Sequence, residues 1–414
     1  MDWIALGARP TPKRYERGTH RAVSPAETVA SMRPFLCELG ITRVANVTGL
    51  DVVDIPTVMV VRPNGRSLSV HQGKGVDLDA ARASGIMEAT EHHLAEHIDR
   101  PLLLATAREL EQGRPVIDVS KLPGFVRAFG PHEQIMWIEG EDLAKHTPLW
   151  VPYELVHLNL TLPLPPRHGF FPLGSNGLAS GNNHIEALIH GLCELIERDA
   201  LALFYQESME TQASRRVDAS TVVDEVCVEL LERYRRAAVD VGIWDVTSDL
   251  GVASFLCMVV DREYDPFRPM AAARGSGSHP DRVIALARAL TEAAQSRLTR
   301  IAGSRDDLRP DHLVAERAEE SAALARAQLG SPVASMRRYE DIPTRRHDSL
   351  DEDLDWLQAQ LEAWGMPQVV GVDLSRPGLP CSVMRVLVPG LEGVSEAPGY
   401  RPGKRALGRR ATLP

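Results

Sequence analysis

The stretch that decides the fold is SNGLASGNNHIEALIHGLCELIERDA, residues 175–200. From Glu186 onward it is apolar almost all round, which predicts a buried helix. At helical spacing, Glu186, Glu194 and Glu197 nevertheless fall within an arc of roughly 80°. An otherwise buried helix rarely keeps three carboxylates on one side unless a positive group neutralises them. We therefore place the chemistry of the protein on this row of acids.

A second acidic row occurs in GKGVDLDAARASGIMEATEHH, residues 73–93. There Ser84, Glu88 and Glu91 span about 60° of a helix. A single such pair is usually a solvated face. Two carboxylate rows facing each other instead favour Mg²⁺, which prefers oxygen ligands and often completes its shell with phosphate oxygens. We expect a magnesium and phosphate site, because acids could not approach a triphosphate without intervening metal.

Glycine-bearing loops precede both rows, at 73–75, 175–177 and 181–182. Exposed backbone N–H groups near helix starts bind anions, although each loop could also be an ordinary turn. The first loop is not a Walker A motif, since Leu68 and Gly75 stand where glycine and Ser or Thr are required.

A third helix is predicted at 280–301, with Arg288, Glu292 and Gln295 at helical spacing. Its charges could pair within the helix, or its arginines could bind phosphate oxygens bidentately. The spacing of Glu292 and Gln295 repeats that of the two glutamate pairs, so three equivalent helices converging on one site are conceivable. The repeat is short and carries little weight by itself.

Histidines 92, 93 and 97 invite a metal interpretation. HxxxH alone lacks the third ligand and the base of a zinc hydrolase, so a surface cluster or a second shell to Glu88 and Glu91 is the better interpretation. No GxSxG motif is present, and none of the five cysteines forms a CxxC pair. Neither a disulfide framework nor a cysteine zinc site is expected.

Composition places the chain among ordinary globular proteins, with 44% hydrophobic and 25% charged residues. A net charge of -10 argues against a nucleic-acid partner. No apolar run of about eighteen residues appears and the start lacks a hydrophobic signal core, so we expect a cytoplasmic protein with no membrane contact.

Helices are predicted at 25–39, 79–98, 186–200, 220–239, 280–301 and 350–364. Strands are predicted at 42–47, 56–61, 242–246, 253–260, 368–372 and 382–388. The mixture favours an α+β or mixed α/β fold. We expect one catalytic unit over residues 1–414, in four sub-regions. Residues 1–70 form an N-terminal helix and strands, 71–304 the binding core, 305–353 charged surface helices and linker, and 354–414 C-terminal strands and a basic tail.

Four motifs together resemble the YcaO family, over almost the whole chain from about Lys13 to about Arg405. They are Lys13-x4-Gly18-Thr19-His20-Arg21, Ser84-x3-Glu88-x2-Glu91, the 175–200 segment with its Glu194-x-x-Glu197-Arg198-Asp199-Ala200 end, and Arg288-Ala289-x-Thr291-Glu292-Ala293-x-Gln295-Ser296-Arg297. The resemblance implies a YcaO-type fold with mixed sheets and helices around a central cleft for ATP and Mg²⁺.

The resemblance also implies roles for individual residues, and leaves the catalytic residue unassigned. The Mg²⁺ ligands would be Glu88, Glu91, Glu186, Glu194 and Glu197. The residues around ATP would be Lys13, Thr19, Arg21, Ser84, Ser175, Asn182, Arg198, Gln295 and Arg297. Such enzymes phosphorylate the oxygen of a backbone amide that a nucleophile attacks, giving an azoline, a thioamide or an amidine according to the nucleophile.

Two departures from the family bear on the product. His92 replaces the arginine that often follows the second glutamate, and the end Ala411-Thr412-Leu413-Pro414 lacks the PxPxP pattern of many azoline-forming members. No fused peptide-docking domain is apparent, so a peptide or protein substrate would be delivered by a separate partner. With Val388-Pro389-Gly390-Leu391-Glu392, these features look more like members that make thioamides beside a TfuA-type protein. An azoline-forming cyclodehydratase and a non-catalytic nucleotide-binding accessory factor stay open, and the resemblance fits a homodimer.

Overall fold

The computed structural model describes residues 10–124, 128–164, 167–307, 315–394 and 399–411. Ten helices are found in these ranges: α1 Pro25–Met32, α2 Leu78–Glu96, α3 Ala107–Glu111, α4 His184–Phe204, α5 Met209–Ser214, α6 Glu225–Arg236, α7 Arg282–Ala302, α8 Ala315–Gly330, α9 Leu350–Ala363 and α10 Lys404–Ala411. The strands of the same ranges are β1 Arg43–Asn46, β2 Thr57–Val61, β3 Val70–Lys74, β4 Leu102–Thr106, β5 Gln134–Asp142, β6 Thr147–Pro152, β7 Leu178–Gly181, β8 Val239–Asp245, β9 Ser254–Asp261, β10 Ala273–Ser278, β11 Val370–Asp373 and β12 Ser382–Leu387.

The strands form three antiparallel sheets. Two are three-stranded, in the orders β1-β2-β3 and β8-β9-β10. The third runs β4-β5-β11-β12-β7, with β6 also paired to β5. The predicted α+β or mixed α/β class is therefore confirmed.

Each sheet ends in a strand that leads directly into a long helix packed on it. The pairs are β3 with α2, β7 with α4, and β10 with α7. Repetition of one strand–helix unit explains the short acidic repeat in the sequence, because the repeated residues occupy the corresponding helices. The three helices bring their polar faces to one cavity, which is described below.

Glycine lets each of these helices lie against its strand. A Cβ at Gly73 of β3 would lie 2.0 Å from the carbonyl oxygen of Ala81, and one at Gly275 of β10 would lie 2.2 Å from the backbone nitrogen of Ala293. Neither separation is possible between real atoms, so only glycine permits this helix–strand spacing.

These contacts correct the loop interpretation of the acidic segments. Gly73 and Lys74 belong to β3, and Gly181 ends β7. Strand β10 was not predicted, because its sequence ARGSGS has no β-branched or aromatic residue and reads as a loop. Helix α1 is shorter than predicted and ends at Met32, since Pro34 lacks the N–H that would continue the helical hydrogen bonds.

The C-terminal part also differs from the prediction of a charged surface. Ala322 and Ala325 of α8 are buried against the β8–β10 sheet, and Tyr339 and Ile342 join the core between that sheet and α7. Arg405, from the basic tail, bonds Asp199 of α4. The final residues 412–414 of the predicted basic tail lie outside the described residues. Within the described ranges, no helix is both long and apolar enough to cross a membrane.

Candidate functional site

A cavity of about 460 Å³ lies where the polar faces of α2, α4 and α7 meet. Strands β3 and β7, the segment between Arg17 and Arg21 and the loop at Ser175 complete its walls. The buried Arg385 of β12 holds that loop, since its guanidinium donates to the carbonyl oxygens of Asn176 and Gly174 at 2.8 Å each. Three helices, two strands and two connecting segments thus build one site.

Two acids of the cavity come from α2. Glu91 is buried, and its Oε1 accepts hydrogen bonds from the backbone N–H of Ser180 at 2.8 Å and from the Ser180 hydroxyl at 2.6 Å. Glu88, one helical turn earlier, lies with its Oε1 3.7 Å from Nδ1 of His71. Strands β7 and β3 therefore supply the groups that orient the two carboxylates of α2.

Three acids come from α4. Glu186 is buried and accepts from the backbone N–H of Ala22 at 2.5 Å and from both nitrogens of Asn182 at 2.9 Å. Glu197 is buried and accepts from the Ser276 hydroxyl of β10 at 2.6 Å. Glu194 lies between them and accepts from the backbone N–H of Gly177 at 3.3 Å. Because a different chain segment holds each carboxylate, the three side chains are preorganised.

Acidic and basic side chains are equally numerous among the described residues that line the cavity. Among the described residues that line it, the acids are Glu88, Glu91, Glu186, Glu194, Glu197 and Glu292, and the cations are Arg17, Arg21, Lys74, Arg198, Arg288 and Arg305. Arg198 lies 3.6 Å from Glu194 and 3.4 Å from Glu197, and Nζ of Lys74 lies 2.6 Å from Glu292. Acids and cations are thus interspersed, as a site for a metal-bound anion requires.

The acids differ strongly in protonation. Burial, with the nearby charges of Glu88 and Glu194, raises the pKa of Glu91 to about 8 against the hydrogen bonds from Ser180. Burial also raises the pKa of Glu194, although the charge of Arg198 opposes the rise. Burial acts on Glu292 too, but the charges of Lys74 and Arg198 outweigh it and lower the pKa to about 2. Glu91 therefore holds a proton at neutral pH that a divalent cation would have to displace.

Of histidines 92, 93 and 97, only His92 lines the cavity. His92 is buried at the cavity wall, and its Nδ1 lies 2.8 Å from the Ser67 hydroxyl. His71, Glu88 and His92 offer ligand atoms within 4.8 Å of one another. The Arg62 guanidinium lies 3.3 Å from Nε2 of His71, while Nδ1 of the same ring faces Glu88. His93 and His97 stack on each other, and Nδ1 of His93 lies 3.4 Å from the same Arg62.

Seven of the nine residues predicted around ATP line the cavity: Thr19, Arg21, Ser84, Ser175, Asn182, Arg198 and Gln295. All five predicted metal ligands line it as well. Asn182 accepts from the Thr28 hydroxyl at 2.8 Å, and Gln295 donates to the carbonyl oxygen of Gln72 at 2.9 Å. Twelve of the fourteen residues predicted to bind ATP or Mg²⁺ therefore line one cavity.

Lys13 and Arg297 lie elsewhere. Nζ of Lys13 is 2.6 Å from Asp353 and donates to the carbonyl oxygen of His347 at 2.9 Å, so this lysine fastens the N-terminal segment to the start of α9. Arg297 is buried between Asp51 at 2.8 Å and Asp261 at 3.0 Å. We correct both predictions to structural ion pairs, because each cation is already neutralised outside the cavity.

Sequence reasoning missed several lining residues. Lys74 and Glu292 were seen only as parts of a loop and of a helical repeat, and Gln72 and Ser180 carried no signal. Gln72, Lys74 and Ser180 lie in strands β3 and β7, which the sequence does not predict, so their side chains could not be assigned to the cavity. Alternation along β3 would have placed Gln72 and Lys74 on one face of the sheet.

The geometry fits a nucleotide held through hard cations. Carboxylate oxygens from two helices are the donors that Mg²⁺ prefers, while arginine and lysine suit phosphate oxygens. The buried Nε of Arg288 and Nε2 of Gln72 have no hydrogen-bond partner within the described residues, so both can serve a ligand. The cavity, its carboxylate and basic side chains, and the two unpartnered nitrogens are therefore all consistent with a bound nucleotide and Mg²⁺.

Comparison with known proteins also indicates binding of ATP and Mg²⁺. The model of a family described as YcaO cyclodehydratase, ATP- and Mg²⁺-binding, matches residues 72–392. An uncharacterized protein in the tfuA 3' region of Rhizobium leguminosarum bv. trifolii is 40% identical over 377 residues, which cover 90% of this chain and 88% of that protein.

Two solved structures share the fold. A structure of YcaO from Methanopyrus kandleri bound with AMPPCP and Mg²⁺ superposes with a TM-score of 0.74 at 24% identity, covering 95% of this chain and 99% of that one. A heterocyclase in complex with substrate and cofactor gives a TM-score of 0.77 at 24% identity, covering 94% of this chain. The present chain spans 54% of that heterocyclase.

Proposed function

Because this chain belongs to the YcaO family, whose members bind ATP and Mg²⁺, we propose that it activates a backbone amide of a peptide or protein by phosphorylating the amide oxygen. The product we favour is a thioamide, made together with a TfuA-like partner. The observation that carries the proposal is the convergence of Glu88, Glu91, Glu186, Glu194 and Glu197 with interspersed cations around one cavity.

The residues divide the work by charge. The five glutamates would hold Mg²⁺, and Arg198, Arg288 and Lys74 would hold phosphate oxygens. ATP supplies a phosphoryl group that turns the poorly leaving amide oxygen into phosphate. Glu91 would give up its proton on binding the cation, whereas Glu292 is ionised beside Lys74 and orients that ammonium.

The reaction balances with sulfide as nucleophile. Sulfide adds to the amide carbon, forming a C–S bond, and the resulting oxyanion takes the terminal phosphoryl group of ATP as the P–O bond to ADP breaks. The C–O bond then breaks and releases phosphate, while the sulfur gives up its proton. The sum is amide, hydrogen sulfide and ATP to thioamide, ADP and phosphate. No oxidant or reductant is consumed.

The thioamide product is favoured over an azoline by one observation. A relative of 40% identity is a protein in the tfuA 3' region. An azoline would instead form if a Cys, Ser or Thr side chain of the substrate supplied the nucleophile, as for a cyclodehydratase. The two products differ in mass, because thioamidation replaces oxygen by sulfur and azoline formation removes water.

The test incubates the purified protein and a co-purified TfuA-like protein with ATP, Mg²⁺, sodium sulfide and the protein extract of a strain lacking this gene. Tryptic peptides are then compared by mass spectrometry with a reaction that omits ATP. A peptide carrying sulfur in place of oxygen is the expected result. A peptide that has lost water would establish the cyclodehydratase alternative and refute the thioamide.

Catalysis is separated from an accessory role by variants of one helix. Glu194→Gln and Glu197→Gln should abolish both the modification and the ATP turnover that the extract stimulates. Glu111→Gln, at an exposed position of α3, is the matched control and should leave both unchanged. Turnover that persists in the two α4 variants, with AMPPCP still bound, would show that the chain only assists another enzyme.

A further inference from the structure

A second pocket, of about 140 Å³, opens beside the cavity on the side of Arg198 and Glu292, which line both. Its walls come from the second half of α4, the face of the β8–β10 sheet that looks toward α4, and the C-terminal segment. The apolar wall residues are Leu201, Tyr205, Leu256 and Val394, and the polar ones beyond the shared pair are Arg274 and Ser276. We call this space the acceptor pocket.

The acceptor pocket lies where the peptide substrate, which reacts with ATP, would need space. An amide whose oxygen takes a phosphoryl group must lie against the cavity, so the rest of its chain needs room next to that cavity. The space behind Glu186 and Arg288 also adjoins it but holds only about 20 Å³, hardly more than a water molecule. The pocket beside β4 shares no lining residue with the cavity. Of these four spaces among the described residues, only the acceptor pocket both adjoins the cavity and has room for a side chain.

We propose that the acceptor pocket binds a large apolar side chain of the substrate, aliphatic or aromatic, next to the amide that is modified. This inference rests on the proposed function, since it assigns a subsite to that reaction. An engineered apolar cavity of about 150 Å³ in another protein binds benzene, so the space matches a leucine, isoleucine or phenylalanine side chain. Leu201 and Leu256 are nearly fully buried and provide the apolar contact.

The pocket discriminates by charge as well as by size. The charged residues of its lining are Arg198, Arg274 and Glu292. Glu292 is already paired with Lys74 at 2.6 Å, so a lysine or arginine side chain of the substrate would meet the like charge of the two arginines. Ser276 is not free to bind a polar side chain, because its hydroxyl is committed to Glu197. An acidic side chain would meet the ionised Glu292, and the apolar wall residues favour an apolar side chain.

The wall formed by Val394 is fixed by a buried network. The backbone N–H of Glu392 donates to Asp199 of α4 at 3.0 Å, and the carboxylate of Glu392 accepts from Gly403 and Ala406 at the start of α10. Arg405 of α10 binds the same Asp199 at 2.8 Å. Asp199 follows Arg198 directly, so one anchor fixes the C-terminal segment against the helix that carries the metal ligands.

The experiment uses a pool of N-acetylated, C-amidated random hexapeptides and the protein saturated with AMPPCP and Mg²⁺. Bound peptides are eluted and sequenced by mass spectrometry. The wild-type protein should enrich Leu, Ile and Phe about tenfold over Lys and Arg. Val394→Trp fills the pocket from a residue that is 36% exposed and should remove the enrichment, whereas Val223→Trp, at a residue that is 79% exposed elsewhere, should preserve it.

Arg274→Gln is a second, independent variant, and it should let Lys and Arg peptides into the bound fraction. The inference is overturned if the wild-type protein enriches no apolar residue, or if Val394→Trp enriches them as strongly as Val223→Trp. AMPPCP affinity is measured on the same samples. If the wild-type protein does not bind AMPPCP, the proposed function is refuted. If it binds AMPPCP but selects no peptide, only the acceptor pocket is refuted.

Discussion

Replacing Glu91 with glutamine should stabilise the ligand-free protein at pH 8. The pKa of Glu91 rises from its ordinary 4.5 to about 8 in the folded protein, chiefly through burial. A carboxyl with a raised pKa costs no stability below pH 4.5, and the cost grows as pH increases until it is complete above pH 8. Glutamine never ionises, and its amide oxygen can still accept both hydrogen bonds from Ser180.

The size of the effect follows from the pKa difference. At 1.36 kcal/mol per pH unit, ionisation of Glu91 costs about 4 kcal/mol of folding free energy at pH 8 and about 1 kcal/mol at pH 5. An unfolding entropy of roughly 2.1 cal/mol/K per residue converts 4 kcal/mol into a rise in Tm of about 5 °C for a chain of this length. The expected Tm gain of Glu91→Gln is therefore about 5 °C at pH 8 and about 1 °C at pH 5.

Glu96, on the same helix, provides the matched variant of opposite sign. It is also buried, but it accepts from Arg62 at 2.6 Å and from the Ser67 hydroxyl at 2.6 Å, and its pKa is lowered against the effect of burial. Removing one partner of a buried ion pair costs about 3–5 kcal/mol. Glu96→Gln should therefore lower the Tm by several degrees at both pH values.

Differential scanning fluorimetry at pH 5 and pH 8 measures all three proteins, without ligand and with AMPPCP and Mg²⁺. The ligand-induced rise in Tm should be smaller for Glu91→Gln than for the wild type, because one metal ligand is lost. A fall in Tm on Glu91→Gln at pH 8, or a gain of equal size at pH 5, would refute the electrostatic reasoning about this site.

Three further predictions concern the same regions. In isothermal titration with AMPPCP present, the apparent affinity for Mg²⁺ should rise up to tenfold per pH unit between pH 6 and pH 8, as Glu91 loses its proton, and a flat profile would contradict this. Arg297→Met should lower the Tm by several degrees, since Asp51 and Asp261 lose their cation, but leave the KM for ATP unchanged; a higher KM at unaltered Tm would restore Arg297 to the nucleotide site. Gly275→Ala should prevent folding or lower the Tm sharply in a thermal melt, because its Cβ would meet the backbone of α7, whereas Gly113→Ala, with open space around it, should not.

Helical periodicity predicted the parts of the site that a single segment encodes. The spacing of Glu186, Glu194 and Glu197 placed three acids on one face of α4, and all three line the cavity. The helix limits of α2, α7 and α9 were also predicted to within a few residues. Local signals sufficed there because each helix carries its own caps, such as the Ser349 and Glu352 capping box of α9.

Ion pairs between residues far apart in the sequence could not be predicted. Lys13 meets Asp353 and Arg297 meets Asp51, partners hundreds of residues apart, and no local pattern distinguishes such a cation from one that binds phosphate. Strands β3 and β10 were not predicted, for a different reason. Their glycines weaken the β signal, and those glycines are needed because a helix lies on the strand.

At some places a strand contacts a helix with no side chain between them, and this affects which substitutions the protein tolerates. Where Gly73 and Gly275 touch a helix, main chain rests on main chain, so the spacing of the three acidic faces does not depend on any rotamer. Most residues of α2 and α7 are buried, so changes in their side chains must be accommodated by the neighbouring side chains and not by a shift of the helix toward its strand. Homologues should accordingly keep both glycines and the distances between the carboxylates.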